Sequence, residues 1–270
     1  MRKGLALLLT MASAVLMGCS GGGSTDVLAD VRDSGTLRVA LTQANPPLEL
    51  PGDDGKPVGY DVDVAHEVAR RIGVDNVEFV ASNFQSFIEG VRAERFDIVI
   101  SGQTITEERK QQVSFSRPYQ VNGVAIFVPS GDRSIGSLSD LEDKVVAVSA
   151  GTTQEQFARE EIQGAQVKTY QNATLGLTDL ARGNADAMLV SRFQGSYLAK
   201  QNDLAVKPVG KLLESEVNGM SFRKGSPAFK KEIDKAIASM IADGTLSRIS
   251  QQWLGLDMVP ELNALPPEQG

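Results

Sequence analysis

Apolar residues along this chain fall in short runs separated by polar breaks that carry glycine, proline or Asp/Ser turns. Thr36–Leu41 (TLRVAL) reads as a strand after the turn Asp33-Ser34-Gly35, and Asn45-Pro46-Pro47 ends it with a loop. From Gly59 to Ile72 the period changes to that of a helix. Val64, Ala65, Val68, Ala69 and Ile72 share one face, Glu67, Arg70 and Arg71 the other, and Gly73 marks the end. Val77–Ala81 predicts a second strand and Phe84–Arg95 a second helix, with Phe87, Ile88 and Val91 inward. Ile98–Ile100 predicts a third strand. Strand–helix–strand alternation of this kind implies a mostly parallel sheet with right-handed crossovers.

The continuous apolar strand Gly123–Pro129 follows, and a Gly/Ser-rich loop, Ser130–Ser139, breaks the pattern. A second series then begins. Strands are expected at Lys144–Ser149, Val167–Tyr170 and Ala185–Val190, and helices from Thr152-Thr153-Gln154, at Ala173–Arg182 and at Arg192–Lys200. Glu216–Phe222 predicts another strand. Ser226-Pro227 opens a long helix, with proline at its first position, and Leu246–Leu254 a shorter one. From Met258 on, prolines and a thin apolar pattern predict a loose tail over 258–270. Two α/β units interrupted by two apolar strands fit two lobes better than one long sheet.

The amino terminus adds an address. Arg2 and Lys3 precede an apolar run, Leu5–Gly18, too short to span a bilayer and laid out as a signal peptide over 1–18. The run stops at the sole cysteine, Cys19, in the context Leu16-Met17-Gly18-Cys19, which resembles a bacterial lipobox. That resemblance implies cleavage before Cys19 and lipidation of its sulfur, with residues 19–26 as a flexible tether. Removing 1–18 leaves 25 basic against 34 acidic side chains, a net charge of −9. An acidic chain argues against nucleic acid as a partner and against electrostatic adhesion to anionic lipid. With one cysteine and one histidine, His66, no disulfide within the chain and no histidine metal cluster can form. No cofactor is expected.

The candidate chemistry lies in Asp97–Tyr119 (DIVISGQTITEERKQQVSFSRPY). A buried strand runs into a small-residue turn, and Thr106 is placed to cap a helix whose first turn holds Glu107, Glu108 and Arg109. Arg109 then stands just past the carboxyl end of a strand, where open α/β sheets bind ligands. Hydroxyls of Thr104 and Thr106, backbone amides and one guanidinium fork suit a carboxylate. A solvated helix start with a surface arginine fits the segment alone equally well.

Gly59-Tyr60-Asp61-Val62-Asp63-Val64, followed by Val68-Ala69, resembles the signature of bacterial extracellular solute-binding proteins of the polar amino acid class, family 3. The resemblance continues through Asp97–Tyr119, Gly151-Thr152-Thr153, Gly183–Asp186 and Gly219–Gly225, and covers Val27 to Trp253. It implies a type II periplasmic-binding-protein fold: two α/β lobes, 27–125 plus 221–257 and 126–220, joined by two hinge strands. It also implies a monomeric, non-enzymatic receptor that delivers a carboxylate-bearing solute to an ABC transporter permease. The family's carboxylate clamp falls on Arg109, Thr104 and the Gly102 backbone in one lobe, and on the helix start at Thr152-Thr153 in the other. Phe84 matches an aromatic that packs on the ligand side chain.

Two departures stand out. The family usually places an aspartate for the ligand's α-ammonium at a position that falls here on Ser191, next to Arg192. Glu49, Glu155 and Glu216 are the alternative acids, and the sequence does not choose among them. Asn45 and Leu48 occupy a loop where relatives often carry aromatics, so a two-sided aromatic sandwich is not expected. Asn83 and Gln103 are further polar candidates. Two other functions remain open at this point: a dehydratase-like enzyme on the same scaffold, and a sensor domain, which would need a signalling segment after Trp253. No Ser-His-Asp set or cysteine nucleophile supports the enzyme.

Overall fold

The computed structural model describes residues 26–266. The leader, Cys19 and the tether before Asp26, and positions 267–270, lie outside the described residues. Among the described residues no helix is long and apolar enough to cross a membrane.

The alternating apolar pattern builds two five-stranded sheets. In the first the order is Asn76–Ala81, Thr36–Leu41, Ile98–Val99, Ser221–Phe222, Ser114–Phe115. Its first three strands are parallel, joined by the helices Tyr60–Ile72 and Phe87–Arg92. Only Ser221–Phe222 runs against the rest, antiparallel to both Ile98–Val99 and Ser114–Phe115, so the sheet is mixed. Successive strand residues face opposite sides. Leu37, Val39, Ile98 and Ile100 pack under Tyr60–Ile72 and the helix Pro227–Ala242, while Ala40 and Val99 pack against Phe87, Val91 and Phe96. The predicted face of Tyr60–Ile72 is buried throughout, and Gly73 ends it in the left-handed region at φ 77°. His66 lies exposed on the opposite face, edge-on to Phe79.

The second sheet runs Val206–Asn218, Gln120–Pro129, Ala187–Ser191, Val145–Ser149, Gln166–Tyr170. Helices Thr153–Glu161, Ala173–Ala181 and Arg192–Gln201 cover it. Val124, Ile126, Val128, Val146 and Val148 fill one face, and Ala125, Phe127, Ala147 and Met188 the other. The chain passes from the first sheet to the second between Phe115 and Gln120, and returns at Gly219-Met220. The single strand expected at Glu216–Phe222 is therefore two pieces in different sheets. Its amino-terminal part reaches back to Val206 along Gln120–Pro129, with an irregularity between Val209 and Glu214.

Two expectations about the ends change. Asp26, read as the last tether residue, caps the helix Val27–Ser34 through Leu28 N–H and also accepts from Ala228 and Phe229 N–H of a second helix. The stretch from Met258 is not loose over its described part. Val259–Asn263 is a helix, Met258 is fully buried, and Leu262 packs into the first lobe's core. Two well-spaced apolar side chains suffice to dock a short helix whose sequence otherwise reads as a tail.

Candidate functional site

A cavity with a water-accessible volume of about 230 Å³ lies between the two sheets. Its walls include residues that follow the strands: Thr42, Ser82–Phe84, Gly102 and Thr104 from the first sheet, and Ser149, Ala150, Thr152, Thr153, Gln171–Ala173 and Ser191 from the second. This is the carboxyl-end crevice where such sheets bind ligands. Elements of both sheets meet across it. Asn83 Oδ1 accepts from Gln171 Nε2 at 3.2 Å, and the Ala44 carbonyl accepts from Gln194 Nε2 at 3.3 Å.

Of the residues singled out in the sequence, Phe84, Gly102, Thr104, Thr152, Thr153 and Ser191 all line this cavity. Arg109 does not; it sits behind that wall. Its helix, Glu107–Gln112, begins as expected, with the Thr106 hydroxyl accepting from Arg109 N–H. The guanidinium is buried, 5.5 Å from the Phe84 ring centroid, and donates to the Thr104 carbonyl at 2.8 Å and the Gly151 carbonyl at 3.1 Å. Burial pulls its pKa down, opposed by the attraction of Glu216 and Glu108. Thr104 and Gly151 belong to opposite lobes, so Arg109 already bridges them.

Gly102 lines the cavity with φ 56°, and a Cβ there would come within 2.7 Å of Leu48 Cδ1. Its N–H is directed to Tyr119 Oη at 3.1 Å, not into the cavity. The Thr152 hydroxyl caps the second lobe's helix by accepting from Glu155 N–H, as its place before Thr153–Glu161 requires. Ser191 accepts from Asn122 Nδ2 at 2.7 Å and brings no charge.

The three candidate acids separate cleanly. Glu155 holds Gly151 N–H and Arg159, and so fixes its own helix start. Glu49 is fully buried outside the cavity, accepting from Ser101 Oγ at 2.6 Å and Thr42 Oγ1 at 2.8 Å, beside Asp61. Burial pushes Asp61 well up, and the charge of Glu49 adds to this; burial likewise raises Glu49. Glu216 lines the cavity at 4% exposure. It accepts from Thr153 Oγ1, from Thr104 Oγ1 at 3.3 Å and from Gln154 Nε2 at 2.8 Å. Burial raises its pKa, while Thr153 and the Arg109 charge act against the rise. The two hydroxyls assigned to the ligand's carboxylate thus point at a protein carboxylate in this structure.

Sequence reading missed Asn122, Asn218 and Gln194, which also line the cavity. The signal existed for one of them: Asn122 is an amide in the strand Gln120–Pro129, which is otherwise largely apolar. Gln103 is buried and turned away from the cavity, Asn83 lines it, and Asn45 and Leu48 line it without an aromatic. Arg192 lies over Phe193 and 3.5 Å from Glu261, away from the cavity walls. Among the described residues no group of His, Cys, Asp and Glu could hold a metal ion.

Comparison with known proteins agrees with this geometry. The L-cystine-binding protein TcyJ of Escherichia coli is 34% identical over 256 residues, covering 94% of this chain and 96% of the relative. An ancestral arginine-binding protein bound to arginine superposes with a TM-score of 0.77 at 39% identity, covering 82% of this chain and 99% of its own. The ancestral amino acid-binding protein AncCDT-1, a precursor of cyclohexadienyl dehydratase, gives 0.78 at 34% identity, covering 85% and 99%. These are binding proteins, and the enzyme alternative is set aside. Residues 37–256 match the family described as bacterial extracellular solute-binding proteins, family 3, and the chain belongs to that family.

Proposed function

We propose that this protein captures an amino acid or a close derivative outside the cytoplasm and delivers it to the permease of an ABC importer. Residues 27–115 plus 221–266 form one lobe and 120–218 the other, in place of the 125/126 boundary and the end at 257 expected from sequence, and the two close on the ligand about the crossings at 116–119 and 219–220. The protein acts as a monomer, held at a bacterial membrane by lipid on Cys19; two acyl chains or more give stable anchoring where one does not. A receptor tethered in this way needs no electrostatic attraction to lipid, which suits its acidic charge.

The observation that carries this reading is the convergence of Phe84, Gly102, Thr104, Thr152, Thr153 and Ser191 on one cavity between the sheets. Parts drawn from both lobes make closure and binding one event, because a ligand touching both stabilises only the closed form. Arg109 supplies the positive field behind Thr104, and the helix start at Thr153 adds backbone amides for the carboxylate. Phe84 offers its ring to the ligand side chain. Amides from Asn45, Asn83, Asn122, Gln171 and Gln194 favour a polar ligand over an aliphatic one.

Calorimetry of the mature protein against L-cystine, L-arginine, L-glutamine and L-histidine tests the reading. Saturable binding of at least one, at one site per chain, is expected. No heat with any proteinogenic amino acid or L-cystine overturns it.

A further inference from the structure

We propose that Glu216 is the receptor for the α-ammonium of the captured amino acid, supplying from the strand Val206–Asn218 the negative charge that Ser191 lacks. This rests on the cavity being an amino-acid site. Among the charged side chains of the described residues, Glu216 alone lines that cavity. Its place fixes which cation it meets. Its partners Thr104 and Thr153 adjoin Arg109 and the helix-start amides proposed for the ligand's carboxylate, so a positive group bound there must sit beside that carboxylate. On an amino acid that group is the α-ammonium.

The surroundings supply the remaining acceptors. An ammonium has three N–H donors. Glu216 and Asn218 lie two residues apart on one strand, and therefore on the same side of it. Asn218 also pairs with Thr104 in an isolated bridge. The Asn218 side chain is 2% exposed, lines the cavity, and leaves Oδ1 without a hydrogen-bond partner. The hydroxyls of Thr104 and Thr153 donate to Glu216 and keep lone pairs free to accept. A carboxylate oxygen, an orphaned amide oxygen and a hydroxyl thus converge where three donors are needed. Burial of Glu216 is only partly offset by Arg109, and an ammonium completes the compensation.

The test compares an amino acid with the same acid carrying hydrogen in place of its amine, by calorimetry on the mature chain. For L-glutamine the partner is 4-carbamoylbutanoate, and likewise for L-arginine its deamino acid. Wild type is expected to prefer the amino acid by about 100-fold or more, the range for a buried charge pair. Glu216→Gln keeps the shape and should reduce that preference to within about threefold, equivalent to roughly 0.7 kcal/mol. Adding Ser191→Asp to Glu216→Gln should restore at least about tenfold of it. A Glu216→Gln protein that keeps the full preference overturns the assignment while leaving the binding function intact. Loss of all binding by wild type would instead remove the function itself. A ligand-bound crystal structure of wild type needs no variant: the ligand nitrogen should lie within hydrogen-bond distance of the Glu216 carboxylate, and a nitrogen surrounded only by neutral groups contradicts the proposal.

Discussion

Arg109 illustrates how a residue singled out in the sequence can sit elsewhere in the fold than its position suggests. Its chemistry and its position after Ile98–Ile100 pointed to the cleft, yet the guanidinium reaches the Thr104 and Gly151 carbonyls rather than the cavity wall. Its proposed contribution is a positive field, together with the tie it makes between the two sheets through the Thr104 and Gly151 carbonyls. Arg109→Ala should weaken binding of the calorimetrically identified amino acid by at least about 100-fold, since a buried guanidinium and its charge-assisted bonds are removed. Unchanged affinity would take Arg109 out of the site. Glu216 shows the converse. As one acid among three it could not be chosen from sequence, because only the crossing of the second sheet toward the first brings it beside Thr104 and Thr153. Asp61 belongs to the family signature but does not line the cavity. It lies buried with Glu49, accepting from Tyr119 Oη at 2.8 Å, and Tyr119 in turn receives Gly102 N–H. Burial raises Asp61 and Glu49, and Tyr60 and Tyr119 also stay protonated for the same reason. For carboxyls held above their ordinary range, stability is present while the proton is retained and lost as pH rises through the folded value. The midpoint of thermal unfolding should therefore lose this contribution as pH rises above the ordinary carboxylate range, and Asp61→Asn, which keeps a neutral group at this position, should flatten that loss. Parallel curves for the two proteins would show that Asp61 does not set this pH dependence.

At the level of elements, most of the fold was legible because its signals are local. The helix Tyr60–Ile72 has a full apolar face and a terminal glycine, and the strand Thr36–Leu41 matches its predicted bounds. Thr106 and Thr152 are capping residues at the two helix starts that frame the cleft. What was missed depends on distant contacts. The strand Val206–Asn218 carries Pro208, Gly210 and exposed Leu212, so its pattern is weak, and its pairing with Gln120–Pro129 decides it. Gly210 adopts φ 67° there, and a Cβ would meet the Gly136 carbonyl oxygen at 2.4 Å. The helix Val259–Asn263 is too short to be stable alone and exists by docking. Met258 fixes it, buried against the first lobe with its sulfur accepting from Val121 N–H at 3.3 Å. Met258→Ala should lower stability by about 2–5 kcal/mol, read from denaturant unfolding with an unchanged slope. A loss under about 0.5 kcal/mol, the level of an ordinary surface substitution, would return this stretch to the status of a tail.

On the scale of the whole molecule, two mixed sheets share one crevice and are joined at two crossings, and the groups that define the cavity are divided between them. Such a construction makes affinity and shape the same variable. A ligand that meets Thr104 and Gly102 on one side and Thr153 on the other binds the closed form alone, and so draws the population toward it. Under the proposed closure, the bridges Arg109–Gly151, Asn83–Gln171 and Ala44–Gln194 belong to the closed form. Small-angle X-ray scattering of the mature protein, recorded with and without a saturating amino acid identified by calorimetry, tests this coupling most directly. The radius of gyration should fall on addition of the ligand, and should stay constant when the same concentration is added to Arg109→Ala. Superimposable curves for free and saturated wild type, with binding verified in the same samples, would contradict capture by closure between the lobes.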